Sequence, residues 1–195
     1  MHKLILSNID HVNSLTSPEN SKRITTESPA LSVFTDFQVT IPFTSNPDTD
    51  PVEAERLMLK AHVKMIIIVD AGNHFLGVLS LRDLDQDMII RRVASGTPRN
   101  EITVADLMVP KSKLRAFSYQ DLDKARVQDV LDALMSEGLQ HCLVVDDRNG
   151  TIRGLISASD IARKMQIPLS LHKAPSFAEI VKAVSTASGL QLDTV

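Results

Sequence analysis

Two short polar pairs in this 195-residue chain have the residue types and spacing to do chemistry. Ser80 and Asp83 are three residues apart, and Ser157 and Asp160 repeat the spacing 77 residues later. A carboxylate accepts charge-assisted hydrogen bonds, and a hydroxyl beside the free N–H groups of a helix start suits an anion. The same spacing also occurs where Ser caps a helix, which stabilises the helix by about 1 kcal/mol. A ligand site and a helix cap are therefore both open interpretations.

The elements around the two pairs recur with the same period. In each copy a helix leads to a buried apolar strand, a turn, a second strand and another helix. This order at a period near 77 predicts two copies of one α/β unit. A unit with so few strands should not bury its faces alone, so we expect the copies to pair in one globule. The predicted elements are helices 51–60 and 127–137, strands 65–69 and 142–145, strands 75–80 and 151–157, and helices 80–93 and 157–165.

Several kinds of functional site find no support in the sequence. The single Cys142 excludes an internal disulfide framework and a cysteine-based zinc site, and it is expected to pack in the core. No P-loop, Gly-rich dinucleotide fingerprint or nucleophile elbow is present. The six histidines show no metal-ligand spacing, and only His141, at the start of a buried strand, lies near a predicted site. We therefore expect no metal site.

Composition also limits the partners. The net charge of −3 and the aromatic content of 4% argue against a nucleic-acid partner, because there is little to attract phosphates or stack bases. No apolar run approaches the ~20 residues of a membrane span, and the first residues lack a signal peptide. We therefore expect a cytoplasmic protein with no membrane contact.

The residues around the polar pairs resemble a known family. GVLSLRDL (77–84) and GLISASDI (154–161) are similar to its pattern of Gly, two apolar residues, Ser or Thr, two residues, Asp and an apolar residue. Each follows an apolar strand that ends in Asp, and TVADLMVP (103–110) and SPALSVFTDF (28–37) resemble the segments that open each copy. Over about residues 28–166 the chain resembles a tandem CBS-domain pair, or Bateman module. The family often has Pro near the start of the central strand, where this chain has Ile67 and Leu143.

The resemblance implies the architecture. We expect an α/β (α+β) fold in which two CBS units of helix-strand-strand-helix type pack as a pseudo-two-fold pair. The predicted division is an N-terminal arm (1–27), a first unit (28–97), a second unit (98–166) and a C-terminal tail (167–195). The tail contains a predicted amphipathic helix (176–185) with Ser176 as its cap, which would pack either on its own globule or on a second subunit or partner. A helix that starts at Ser28-Pro29 and a strand over 38–41 are also predicted.

The resemblance also implies a ligand class. CBS pairs bind adenosine compounds such as AMP, ADP, ATP or S-adenosylmethionine in clefts between the units. By position, Ser80 and Asp83 would serve one cleft and Ser157 and Asp160 the other, with each Asp accepting hydrogen bonds from ribose hydroxyls. The remaining candidates are apolar or strand residues for adenine and cations for phosphate, namely Thr40, Ile41, Met65, Ala116, His141, Arg82, Arg115 and Arg153.

The resulting hypothesis is a stand-alone, non-catalytic regulatory module with an adenosine compound as regulatory ligand and no other cofactor. It would form a homodimer and change its contact with an unidentified protein partner when ligand binds. One alternative is a ligand-free scaffold that acts through dimerisation and its terminal arms. A weaker alternative is a nucleic-acid-binding regulator that uses Lys111, Lys113, Arg115, Arg91 and Arg92.

Overall fold

The computed structural model describes residues 8, 10, 11, 13, 14, 24–167 and 177–187. Most of the predicted arm and much of the predicted tail lie outside these residues. The helices are α1 (Pro51–Lys60), α2 (Gln86–Ala94), α3 (Val104–Leu107), α4 (Tyr119–Leu122), α5 (Val127–Ser136), α6 (Ala158–Lys164) and α7 (Phe177–Ala187). The strands are β1 (Thr35–Asp36), β2 (Thr44–Ser45), β3 (Met65–Val69), β4 (Phe75–Ser80), β5 (Val109–Pro110), β6 (Ala116–Ser118), β7 (His141–Asp146) and β8 (Thr151–Ser157). Short 3-10 helices cover Ala30–Ser32, Arg99–Glu101 and Lys111–Lys113.

The strands form two four-stranded sheets that repeat one plan. The first sheet has the order β2-β3-β4-β5, and the second has the order β1-β8-β7-β6. In each sheet an antiparallel hairpin is flanked by one parallel and one antiparallel short strand. We call the two halves the first and second units after these sheets. The paired α/β units predicted from the repeat are confirmed.

Each unit is completed by a strand from the segment that precedes the other unit. β1 comes before the first unit in sequence but pairs with β8 of the second. β5 follows the first unit's helices and pairs with β4, and the helix before it, α3, buries Val104 and Leu107 in the first unit's core. The predicted boundary between residues 97 and 98 therefore assigns β1 to the first unit and β5 to the second, whereas each strand pairs in the sheet of the other unit.

Two glycines allow this exchange. A Cβ on Gly77 would lie 2.3 Å from the carbonyl oxygen of Val109, and one on Gly154 would lie 2.2 Å from that of Thr35. Real carbon atoms do not approach so closely, so each exchanged strand requires a residue without a side chain opposite it.

The two sheets face each other across a shared apolar layer. Ile67 and Val78 from the first unit and Leu143 from the second are buried there. Neighbouring residues on β3, Ile66 and Ile68, point to the other face, into the first unit's own core. Because alternate side chains of a strand point to opposite faces, both faces of β3 are buried, as its continuous apolar sequence predicts.

Three local predictions were wrong. Residues 38–41 form no strand, because the strands of this region are β1 before it and β2 after it. The helix after Ser80 begins only at Gln86, with Asp85 as its cap, and residues 81–85 form turns that bury Leu84. The helix predicted to start at Ser28-Pro29 is a single 3-10 turn, which carries Ala30 into the second unit's core.

The C-terminal helix α7 packs on its own chain. Ile180 and Val184 are buried in the second unit's core, where α7 contacts α5 and α6. This observation decides between the two placements left open for the predicted tail helix. Ser176, its predicted cap, lies outside the described residues. Among the residues that the structure describes, no helix is long and apolar enough to cross a membrane.

Replacement of Gly154 by Ala tests the strand exchange. The new methyl group would overlap the Thr35 carbonyl and the Phe34 ring, 2.2 Å and 2.4 Å away. We expect the free energy of unfolding to fall by about 3 kcal/mol, as for an overpacked core. Urea denaturation would measure this, with Thr151→Ala, at the exposed start of the same strand, expected to change stability by less than about 0.5 kcal/mol. A wild-type stability for Gly154→Ala would contradict the exchange.

Candidate functional site

Two clefts lie where the units meet, one beside each Ser-x-x-Asp pair. The large cleft has a volume of about 620 Å³ and is lined by Ser80 and Asp83 of the first unit and by Arg115 and His141 of the second. The small cleft, of about 190 Å³, is lined by Ser157 and Asp160. Small-molecule sites usually measure about 300–1,000 Å³, so the large cleft has the size of a ligand site.

In the large cleft, Asp83 closes the turn that follows β4. Its Oδ2 accepts hydrogen bonds from the backbone N–H of Ser80, at 2.8 Å, and from the Ser80 hydroxyl, at 2.6 Å. No helix starts here, so the pair does not act as the helix cap that the sequence also allowed. Both hydrogen bonds use Oδ2, which leaves Oδ1 able to accept from a ligand in the cleft.

In the small cleft, the equivalent pair does cap a helix. The Ser157 hydroxyl accepts a hydrogen bond from the Asp160 N–H at 3.0 Å and donates one to Oδ2 of Asp160 at 2.9 Å. The other oxygen, Oδ1, is paired with Nη1 of Arg163 at 3.0 Å. Both oxygens of Asp160 therefore have partners within the chain, and the capping interpretation describes this copy.

Three residues lie on the wall between the clefts and line both of them: Lys64, Met65 and His141. Met65 pairs across its hairpin with Ser80, and His141 pairs with Ser157, so the two strand starts are equivalent in the two units. Burial lowers the pKa of His141 to about 4, against the opposing influence of the Asp160 and Asp83 carboxylates and together with that of Lys64. His141 is therefore neutral at pH 7, and its ring is available for hydrogen bonding or packing in either cleft.

The cations divide into those at the large cleft and those elsewhere. Arg82, Lys113 and Arg115 line the large cleft, where Nη1 of Arg115 lies 2.8 Å and 2.7 Å from the two carboxylate oxygens of Glu137. Arg153, predicted to contact phosphate, instead binds Asp36 of β1 through two hydrogen bonds of 2.8 Å. This pairing lowers the pKa of Asp36, and the Arg153 guanidinium lies 4.6 Å from the centre of the Tyr119 ring. Arg153 therefore holds the exchanged strand.

Three further candidates lie away from both clefts. Thr40 and Ile41 are exposed in the connector between β1 and β2, and Ala116 is exposed at the start of β6. In the parallel registers Thr44 pairs with Ile67 as Ala116 pairs with Leu143. The first-unit counterpart of 114–116 is thus 42–44, which follows Thr40 and Ile41 in sequence.

The sequence interpretation missed Lys64, Glu137 and Arg163, all of which line a cleft. Lys64 and Glu137 each stand next to a turn that leads into a central strand, and Arg163 lies three residues after Asp160 on α6. A position beside such a turn could have identified Lys64 and Glu137 from the sequence, since residues just before the central strand of each unit reach the boundary between the two units, here called the seam. Cys142 is buried, and burial raises the pKa of its thiol to about 11, so it acts as a core residue. In the described part of the chain no three His, Cys, Asp or Glu side chains are grouped to hold a metal ion.

Comparison with known proteins agrees with the fold. A model of the CBS domain matches residues 35–88 and 123–167, more than half of the chain. This chain belongs to the CBS-domain family. The two matched regions correspond to the two units, each with one Ser-x-x-Asp pair. A comparison with curated protein sequences gave no match.

Solved structures of CBS proteins share the architecture. An uncharacterised conserved protein from Pyrococcus horikoshii is 22% identical, with a TM-score of 0.55 over 75% of this chain and 98% of its own. CBSX2 of Arabidopsis thaliana in complex with AMP is 20% identical, with a TM-score of 0.51 over 70% and 94%. The CBS domain pair of MJ0100, in complex with 5′-methylthioadenosine and S-adenosyl-L-methionine, is 18% identical, with a TM-score of 0.50 over 70% and 94%. At these identities the likeness concerns the fold.

The lowered pKa of the half-buried His141 predicts a pH dependence of stability. The unfolded chain takes up a proton near pH 6.5, whereas the folded chain does so only near pH 4. The unfolded state therefore binds more protons between these values, and the free energy of unfolding should fall by up to about 3 kcal/mol as the pH drops from 6.5 to 4. His141→Asn should remove this part of the pH dependence in urea denaturation series. If the free energy of unfolding falls equally with pH in the wild type and the variant, the lowered pKa of His141 in the folded chain is excluded.

Proposed function

We propose that this CBS pair is a non-catalytic regulatory module that binds an adenosine-type ligand in the large cleft. The observation that carries the proposal is the position of Asp83 at the edge of a cavity of about 620 Å³ that both units line. Its carboxylate is fixed by two hydrogen bonds to Ser80 through one oxygen. A prearranged carboxylate at the rim of a partly apolar cavity suits a sugar with two neighbouring hydroxyls.

The rest of the large cleft offers surfaces for the other parts of such a ligand. Val78, Leu114 and Leu143 provide an apolar surface for a flat base, and they come from both units. Arg82, Lys113 and Arg115 provide positive charge where a phosphate or carboxylate would extend from the sugar. Two neighbours with the same fold bind ligands of this class, AMP for CBSX2 and 5′-methylthioadenosine with S-adenosylmethionine for the MJ0100 pair.

Regulation would follow from the placement of the ligand at the seam. A ligand that contacts both units favours whichever relative arrangement gives it the better contacts, and it thereby shifts the population of the module toward that arrangement. A protein partner that distinguishes the two arrangements would respond to the ligand. The polar groups that line the cleft can orient and hold a ligand. The Cys142 thiol donates to the backbone carbonyls of Arg115 and Leu143 and so is engaged away from His141.

The small cleft supports a different role. Its carboxylate is occupied by the helix cap and by Arg163, and its volume is about 190 Å³. These contacts favour a structural function for the second Ser-x-x-Asp pair. The scaffold alternative, in which no cleft binds a ligand, extends the same role to the first pair.

A ligand panel tests the proposal. At a concentration 100 times its Kd, a bound adenosine compound should stabilise the protein by about 2.7 kcal/mol. We expect this thermal shift for at least one of adenosine, AMP, ADP, ATP and S-adenosylmethionine. The Asp83→Asn variant should weaken binding about tenfold or more by removing a charged acceptor, while Asp87→Asn, with the same charge change outside the cleft, should leave it unchanged.

Two results would contradict this assignment. The absence of a shift with every compound at millimolar concentration would favour the scaffold alternative. A shift that Asp83→Asn leaves intact and Asp160→Asn abolishes would move the site to the small cleft.

The exposed faces of α1 and α2 favour a homodimer. Val52 and Leu59 on α1 and Ile90 and Val93 on α2 are large apolar side chains open to solvent. Val52 and Leu59 are seven residues apart and Ile90 and Val93 are three apart, so each pair lies on one face of its helix, and exposed apolar faces mark association surfaces. We therefore expect sedimentation analysis to show a dimer that Leu59→Glu or Ile90→Glu converts to monomer, whereas Glu55→Gln on α1 should not. A monomeric wild type would contradict this part of the proposal.

A further inference from the structure

The rims of the two clefts are chemically different although their backbones are equivalent. The register of the parallel strands makes Phe43 the counterpart of Arg115 and Ile41 the counterpart of Lys113. Two cations on the rim of the large cleft are therefore replaced by two apolar residues in the other copy. Repetition of the unit does not require the charges, so they need an explanation in the large cleft itself.

The ion pair between Arg115 and Glu137 is also confined to the large cleft. Glu137 is the residue after α5, and its counterpart after α1 is Ala61. Both residues of the pair line the cleft. Nη1 of Arg115 contacts both carboxylate oxygens, at 2.8 Å and 2.7 Å, so its donor is directed at Glu137 and not into the cavity.

This ion pair contributes little to folding. The Arg115 and Glu137 side chains are 75% and 44% exposed, and an ion pair so open to water has little effect on stability. A carboxylate is also unfavourable at the C-terminal end of a helix, where the helix dipole is negative. Arg115 can therefore exchange Glu137 for another anion in the cleft with little loss of free energy.

We propose that Glu137 competes with ligand phosphate for Arg115 and so sets the phosphate preference of the large cleft. This inference rests on the proposed function. A nucleoside without phosphate leaves the ion pair in place. A phosphorylated ligand must displace the carboxylate from Arg115, and each added phosphate brings more charge to Lys113, Arg82 and Lys64 on the same cleft. The competing carboxylate thus lowers the affinity of every phosphorylated ligand relative to that of the unphosphorylated nucleoside.

Calorimetric titration with adenosine, AMP, ADP and ATP at fixed ionic strength tests this competition. We expect Glu137→Gln to tighten binding of the three phosphorylated compounds about two- to fivefold, the range of an exposed ion pair, and to leave adenosine unchanged. Arg115→Gln should weaken only the phosphorylated compounds. In the Arg115→Gln background, Glu137→Gln should lose most of its effect, because the competition needs both residues.

The controls separate competition from other causes. Glu55→Gln makes the same change in net charge on the exposed face of α1 and should alter no affinity. A Glu137→Gln effect that persists undiminished without Arg115 would show general repulsion and overturn the competition. Unliganded Glu137→Gln should melt at the wild-type temperature, so an effect on folding would be seen directly.

The result also distinguishes this inference from the proposed function. If adenosine binds and Asp83→Asn weakens it, while phosphates add nothing and Glu137→Gln changes nothing, the competition is wrong and the adenosine site stands. If none of the four compounds binds the wild type or either variant, the site and the competition are both wrong.

Discussion

The exchange of strands between the units is the constraint on which the rest of the structure depends. β1 precedes the strands of the first unit in sequence but belongs to the second sheet. β5 directly precedes the other strands of the second unit but belongs to the first sheet. The chain crosses the seam in both directions, and Gly77 and Gly154 let the crossing segments lie against the hairpins. Arg153 fixes one crossing through Asp36, with Tyr119 against its other face. Neither unit can leave the other without losing a strand, so the clefts between them have walls that are held in place.

Within this frame the two copies have diverged from each other in the side chains at the seam. The same Ser-x-x-Asp spacing produces a capped helix in the second unit and a helix-free turn in the first. In the second unit the Asp160 carboxylate is paired with neighbouring residues of the chain, and the cleft beside it is small. In the first unit Asp83 is held by Ser80 alone among the described residues, and the cleft beside it is large. Pseudo-symmetry of the backbone therefore does not imply two equal sites.

The sequence predicted the elements whose signals are local. Helices α1 and α5 and the hairpins of both units follow from apolar periodicity and turn residues, and the 77-residue offset predicted their pairing. The sequence could not predict the connectors. The distance from the start of the parallel strand to the start of the helix is four residues longer in the second copy, from β6 to α5, than in the first, from β2 to α1. The adenine-binding candidates Thr40 and Ile41 therefore precede the first unit's counterpart of 114–116, which is 42–44. The pairing of Arg153 with Asp36 could not be predicted either, since the two residues are 117 positions apart in the sequence.

The exchanged strands also limit how a ligand could act. Separation of the units would expose the layer around Ile67, Val78 and Leu143 and remove β1 and β5 from their sheets, which a single small ligand cannot compensate. A change at the seam must then be a small rotation of one sheet over the other, together with rearrangement of exposed rim side chains such as Arg115 and Glu137. The lining of the large cleft includes charged side chains of both units and Glu137, which follows α5, and α5 packs against α7. A signal from the large cleft would therefore reach the surface of the second unit through α5, because Glu137, the residue that follows this helix, lines the cleft and the helix itself packs in the core.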